Sequence, residues 1–188
     1  MGFIKDMTTL NFKANFINKV QIQKLDGNNY KPVEASFTEL NLHEKKDIFS
    51  LKEASQDWGE CYATDMYIYS KDEPPKGYKK HIYALTTQRQ NFEYLKPDNI
   101  LGLVEFYEKP DKTNKIELLQ VHPDNIAMQF GRPKYKRVGS AIIDSLKNLF
   151  PNNPIKLHSV STAKGFYKKL GFLPDKSSYD SLDYIWNG

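Results

Sequence analysis

Residues 134–143, KYKRVGSAII, bring small side chains to the start of an amphipathic helix. The first N–H groups of a helix have no intrahelical acceptor and carry partial positive charge. A start of this kind suits phosphate or pyrophosphate. Cations gather here, from Arg132 to Arg137, and again from Lys164 to Lys169 in a second segment, STAKGFYKKLGF, residues 161–172. The whole chain carries a formal charge of only +4. Nucleic-acid binders usually show a concentrated basic face. The clustering here suits a polyanionic small molecule better than a duplex.

These segments need elements to hold them. The run KIELLQVH, residues 115–122, reads as a strand ended by Pro123, and a long polar connection over 124–134 leads into the helix over 138–150. In that helix Ile142, Leu146 and Leu149 share a face, and Pro151 stops it. A short strand over 154–158 precedes a helix capped by Ser161 or Thr162 and ended by Gly171. Upstream, residues 19–25 and 33–40 alternate as strands about the turn DGNN, so a hairpin is expected. Residues 44–58 read as a helix, and 62–69 fit helix or strand. Residues 70–80 form a charged Pro/Gly loop. Strands over 81–86 and 99–107 precede the one at 115–122, which predicts an antiparallel meander, and residues 184–186 supply a last strand. The fold class is α/β (α+β): a single domain over 15–188, with residues 1–14 as an N-terminal arm.

Composition narrows the setting. The 188 residues suffice for one domain with its own core. Cys61 is the single cysteine and reads as a small core residue, so no intramolecular disulfide forms and a reducing cytoplasm is the expected compartment. No apolar run is long enough for a bilayer span and the N-terminus lacks a signal-peptide core, so no membrane partner is expected. His43, His81 and His158 share no ligand spacing with Cys or carboxylates, so no metal is expected. His122 reads as a hydrogen-bonded loop histidine.

Taken together, the two segments resemble the GCN5-related N-acetyltransferase (GNAT) superfamily over about residues 80–186. That family carries Arg/Gln-x-x-Gly-x-Gly/Ala around the pyrophosphate of acetyl-CoA. The counterpart is Lys134-Tyr-Lys-Arg137-Val-Gly139 or, two residues on, Lys136-Arg-Val-Gly139-Ser-Ala141. In the first register Arg137 replaces a glycine, and an ordinary helical φ is expected of it. The second segment is similar to the family's Ala-x-x-Phe-Tyr-x-x-x-Gly-Phe, through Ala163, Phe166, Tyr167, Gly171 and Phe172. Val160 stands where many members have Asn.

The resemblance implies a central twisted, mixed, mostly antiparallel sheet flanked by helices, with acetyl-CoA as co-substrate. It implies direct attack of a primary amine on the thioester in a ternary complex. Splayed strands would hold the pantetheine arm through backbone groups of Leu119 and Val121. The amides of Val138, Gly139, Ser140 and Ala141 would meet the pyrophosphate, with Lys134, Lys136 and Arg137 nearby. Tyr167 is the implied general acid, a phenol near pKa 10. Glu117 is the implied base, four residues before Val121 on the same strand and so on the same face, and Glu105 on the neighbouring strand is the second candidate. Trp58, Glu60, Tyr62 and Asp65 fall in the acceptor region, where an aromatic and acidic wall favours a cationic amine. Monomer and homodimer stay open, as does the acceptor, small molecule or peptide. A catalytically silent acyl-CoA-binding module of the same fold is the alternative.

Overall fold

The computed structural model describes residues 14–59, 62–126 and 131–188. Glu60, Cys61 and nearly all of the expected N-terminal arm lie outside the described residues. The chain opens with a hairpin of β1 (Asn15–Asp26) and β2 (Asn29–Glu39). Asp26 pairs with Asn29 across the turn, where Gly27 takes a φ of 58°. Helices α1 (Lys45–Trp58) and α2 (Tyr62–Ile68) follow. The ambiguous stretch after residue 62 is therefore helical: Ala63 and Met66, three apart, turn into the core together.

Strands β3 (Lys79–Thr86), β4 (Ile100–Glu108) and β5 (Asn114–Val121) form the expected antiparallel meander. The two-residue β6 (Tyr135–Lys136) precedes α3 (Val138–Leu149). Then come β7 (Ile155–His158), α4 (Lys164–Lys169), β8 (Leu173–Pro174) and β9 (Asp183–Trp186). One sheet holds all nine described strands in the order β6-β1-β2-β3-β4-β5-β7-β9-β8. Among the described strands only β5 and β7 pair in parallel, with α3 between them in the chain.

The sheet separates two cores. Along β3, Tyr83 and Leu85 join Phe37, Phe106, Ile142 and Leu146 under α3. Ile82 and Ala84 face the other way, towards Leu51, Ala54 and Met66 of α1 and α2. Gly102 lets α3 approach: a Cβ there would stand 2.7 Å from Ile142 Cδ1 and 3.2 Å from the Gln120 carbonyl.

Candidate active site

A break in the sheet makes the site. β7 pairs with β5 only at Asn114–Ile155, Lys115–Lys156 and Ile116–Leu157. Beyond Ile116, β5 runs on to Val121 with no strand on that side among the described residues. The departure begins at a bulge: Glu105 of β4 faces Leu118, while Phe106 faces Ile116. Glu117 is the extra residue, and such an insertion bends its strand. Further along, the His122 N–H donates to the Leu101 carbonyl at 2.8 Å. Antiparallel alternation then turns the main-chain groups of Leu119 and Val121 away from β4 and into the opening. A cavity of about 1670 Å³ fills it, bordered by Leu119, Val121, Arg137, Gly139, Phe166 and Tyr167 among others.

The bulge breaks the regular alternation expected of β5. Ile116, Leu119 and Val121 belong to the core under α3, whereas Leu118 packs on the opposite side. Glu117 therefore does not simply share the face of Val121. It stands at a throat, bordering both the large cavity and a second one of about 710 Å³.

At the far end of the slot lies the N-terminus of α3. Arg137 is its N-cap, with φ 67° and ψ 13°. This corrects the ordinary helical φ expected there: the residue holds a left-handed conformation that favours glycine, and it stands where the first register of the family motif has one. The Ala141 N–H donates to the Arg137 carbonyl at 2.9 Å, closing the first helical turn. That removes Ala141 from the expected anion-binding amides. Val138, Gly139 and Ser140 precede that bond, so their N–H groups have no intrahelical acceptor, and all three border the large cavity. Gly139 is closely packed, since a Cβ would lie 3.2 Å from Phe166 Cζ and 3.6 Å from Val121 Cγ2.

Lys136 and Arg137 border the cavity, but Lys134 does not. Lys134 is used in the scaffold: its N–H donates to Asp124, its carbonyl accepts from Leu25, and its ammonium lies over the Tyr135 ring. The strap carrying these residues is fixed to the first hairpin. β6 pairs with β1 at Gln23–Lys136 and Lys24–Tyr135, and the Tyr30 hydroxyl donates to the Pro133 carbonyl at 2.8 Å. Lys136 Nζ sits 3.8 Å from the Tyr30 ring centroid. Sequence reasoning missed Tyr30, because no local pattern signals a contact a hundred residues away.

Tyr167 is 8% exposed, set edge-on between Phe166 and Phe172. Among the described residues its hydroxyl has no hydrogen-bond partner. Burial pushes its phenol up to about 12, and the neighbouring Tyr62 adds to the rise. The starting expectation of a phenol near 10 is thus corrected, because the core that positions this group also disfavours its anion.

The remaining candidates divide between the cavities. Tyr62 borders the large cavity and Asp65 the second. Trp58 borders neither: it is buried in the core beneath α1, edge-on to His122. Glu60 lies outside the described residues. Glu105 borders the second cavity; burial raises its carboxyl pKa, opposed by a 2.8 Å hydrogen bond from the Tyr107 hydroxyl and by Lys80. His122 accepts from the Asp124 N–H at 3.1 Å, as a loop histidine should. No group of three His, Cys, Asp or Glu among the described residues could hold a metal. No helix among them is long and apolar enough to cross a membrane.

A nine-stranded mixed sheet opened beside a bulged strand, with a helix N-terminus at the opening, is the GCN5-related N-acetyltransferase fold. In sequence, no family model and no curated protein matches the chain. In structure it is similar to AtaT complexed with acetyl-methionyl-tRNAfMet (TM-score 0.51, 12% identity), over 81% of this chain and 94% of that one. It is also similar to a tandem GNAT protein from the clavulanic acid biosynthesis pathway (TM-score 0.51, 12% identity), over 76% of this chain and 45% of that one. Tetrahymena GCN5 matches with TM-score 0.48 and 11% identity, over 88% of this chain and 94% of that one.

Proposed function

We propose that this chain is an N-acetyltransferase that uses acetyl-CoA to acetylate a primary amine. The observation that carries the reading is the run of one cavity from the unpaired edge of β5, past Tyr167, to the free amides of Val138, Gly139 and Ser140. A pyrophosphate fits those amides, with Lys136 and Arg137 as counter-charges. The outward main-chain groups of Leu119 and Val121 suit the amides of a pantetheine arm.

Acyl transfer to an amine needs the nucleophile deprotonated, the carbonyl polarised and the thiolate stabilised. Glu117, at the throat between the cavities, is the proton acceptor. The second cavity is the acceptor's approach, lined by Asp65, Asp72 and Glu73 with Tyr69, Tyr78 and Tyr107. Those side chains suit a cationic amine by charge and by ring contact. With its raised pKa, Tyr167 stays protonated and serves the leaving sulfur as a hydrogen-bond donor; the final proton comes from water.

Calorimetric titration with acetyl-CoA, followed by thiol release over a panel of amines, tests the reading. Binding in the micromolar range and amine-dependent release are expected. Binding without release for any amine would reduce the chain to an acyl-CoA-binding module, and absence of binding would overturn both.

A further inference from the structure

Two lysine–carboxylate pairs border the large cavity. Lys115 Nζ lies 2.5 Å from Glu117 Oε2, and Lys156 Nζ lies 2.7 Å from Asp175 Oδ2. The lysines are register partners where β5 and β7 still pair, so both sit at the closed end of the slot. Their carboxylates differ in chemistry. Asp175 also accepts the Ser177 N–H at 2.9 Å and its hydroxyl at 2.6 Å. Lys156 first, and then those two bonds, hold its carboxyl down to about 2, which makes it a poor proton acceptor. Glu117 accepts from no second donor among the described residues.

Other amines near the throat lack this arrangement. Lys109 borders both cavities, but its ammonium lies over the Tyr78 ring with no carboxylate partner among the described residues. Lys80 borders only the second cavity and donates to the Tyr69 carbonyl at 2.6 Å. Lys115 alone combines a place in both cavities with direct contact to the carboxylate assigned as base.

We propose that Lys115 is itself an acetyl acceptor, modified by its own chain when no other amine occupies the throat; this rests on the acetyl-CoA reading above. Glu117 takes a proton from the Lys115 ammonium. The freed nitrogen lone pair forms the new C–N bond at the thioester carbonyl carbon, and the C–S bond breaks. As it does so the nitrogen gives up its second proton to water, the thiolate gains a proton from water, and Glu117 returns its own to water. One ammonium and one acetyl-CoA thus become acetyl-lysine, CoA thiol and one proton. The product amide carries no charge, so Glu117 loses its cation and is left open to an incoming ammonium. Lys115 in the unmodified chain occupies the position that such an ammonium would take.

The test incubates the purified full-length chain with acetyl-CoA and no added amine. Peptide mapping by mass spectrometry follows each lysine over time, and calorimetry measures acetyl-CoA binding in parallel. Acetylation at Lys115 is expected to saturate with acetyl-CoA and to run at least about tenfold faster than at any other lysine. Glu117→Gln should slow it at least about tenfold while acetyl-CoA still binds. Lys115→Arg should remove the fast phase. Acetyl-CoA binding with Lys115 unmodified, or labelling spread evenly over lysines and indifferent to Glu117→Gln, would overturn the inference and leave the acetyltransferase reading standing. Failure to bind acetyl-CoA would overturn both.

Discussion

Arg137 carries a long side chain at φ 67°, a conformation that costs a non-glycine residue about 1–2 kcal/mol. The strap holds it there through Lys134, Lys136 and the β1–β2 hairpin. Arg137→Gly should relieve that strain and stabilise the fold by up to about 1 kcal/mol in urea titration, after the entropy of the added glycine in the unfolded chain. It should also weaken acetyl-CoA binding, because a phosphate counter-charge goes with it. A stability loss would mean that the guanidinium is used in the fold. Tyr167 offers a second residue-scale test. With its phenol near 12, the hydroxyl keeps its proton through the ordinary alkaline range. A pH–rate profile should therefore show no Tyr167 ionisation below about pH 11. Tyr167→Phe should lower kcat by about tenfold or more with little change in the acetyl-CoA KM; an unchanged kcat would remove the tyrosine from the chemistry.

Elements place these residues, and here the sequence was legible in part. Regular alternation marked the hairpin, the runs at 81–86, 99–107 and 115–122 read as the meander, and α3 was visible from Ile142, Leu146 and its proline stop. The stretch at Tyr62 was ambiguous because seven residues with two buried positions fit either period. What decides it is tertiary: the Ala63 N–H at the start of α2 donates to Gln120 Oε1 at 2.7 Å. That bond anchors the helix that carries Tyr62 to β5. The helix start at Val138 and the place of Tyr167 on the last helix were legible through small residues and a Phe-Tyr pair. The bulge at Glu117 was not, since nothing in KIELLQVH marks which residue goes unpaired. The Ala141 amide and the conformation of Arg137 were misread for a related reason: helix start and cap geometry depend on the strap's pairing with β1. Packing sets a further expectation for α3. A Cβ at Gly102 would press on Ile142 and the Gln120 carbonyl, so Gly102→Ala should destabilise the chain by about 1–3 kcal/mol and shift α3. A variant as stable as the parent would contradict that packing.

For the molecule as a whole, the sheet divides labour between its faces, with the slot on the α3 side, the second cavity on the other and the bulge between them. Stability across pH reports on a group away from this site. Asp47 of α1 is buried, accepts the Asn41 N–H at 2.7 Å and has its carboxyl pushed up to about 6 from 3.8 by burial. The native chain therefore binds this proton more tightly than the unfolded chain. Its contribution to stability is complete below about pH 3.8, falls as pH rises towards 6 and is flat above. Asp47→Asn should remove that slope and leave the chain at least as stable as the parent at pH 8, as denaturant midpoints at pH 5 and pH 8 would measure. A slope unchanged by the substitution would assign it to other groups.

In the proposed reaction the free amides at the start of α3 grip the diphosphate of acetyl-CoA and bring its thioester beside Tyr167. A crystal structure of the chain with acetyl-CoA would show whether they do. Diphosphate oxygens are expected within hydrogen-bonding reach of the Val138, Gly139 and Ser140 nitrogens, with the pantetheine arm along Leu119 and Val121 and the sulfur at the Tyr167 hydroxyl. A nucleotide bound elsewhere, with that turn empty, would contradict it.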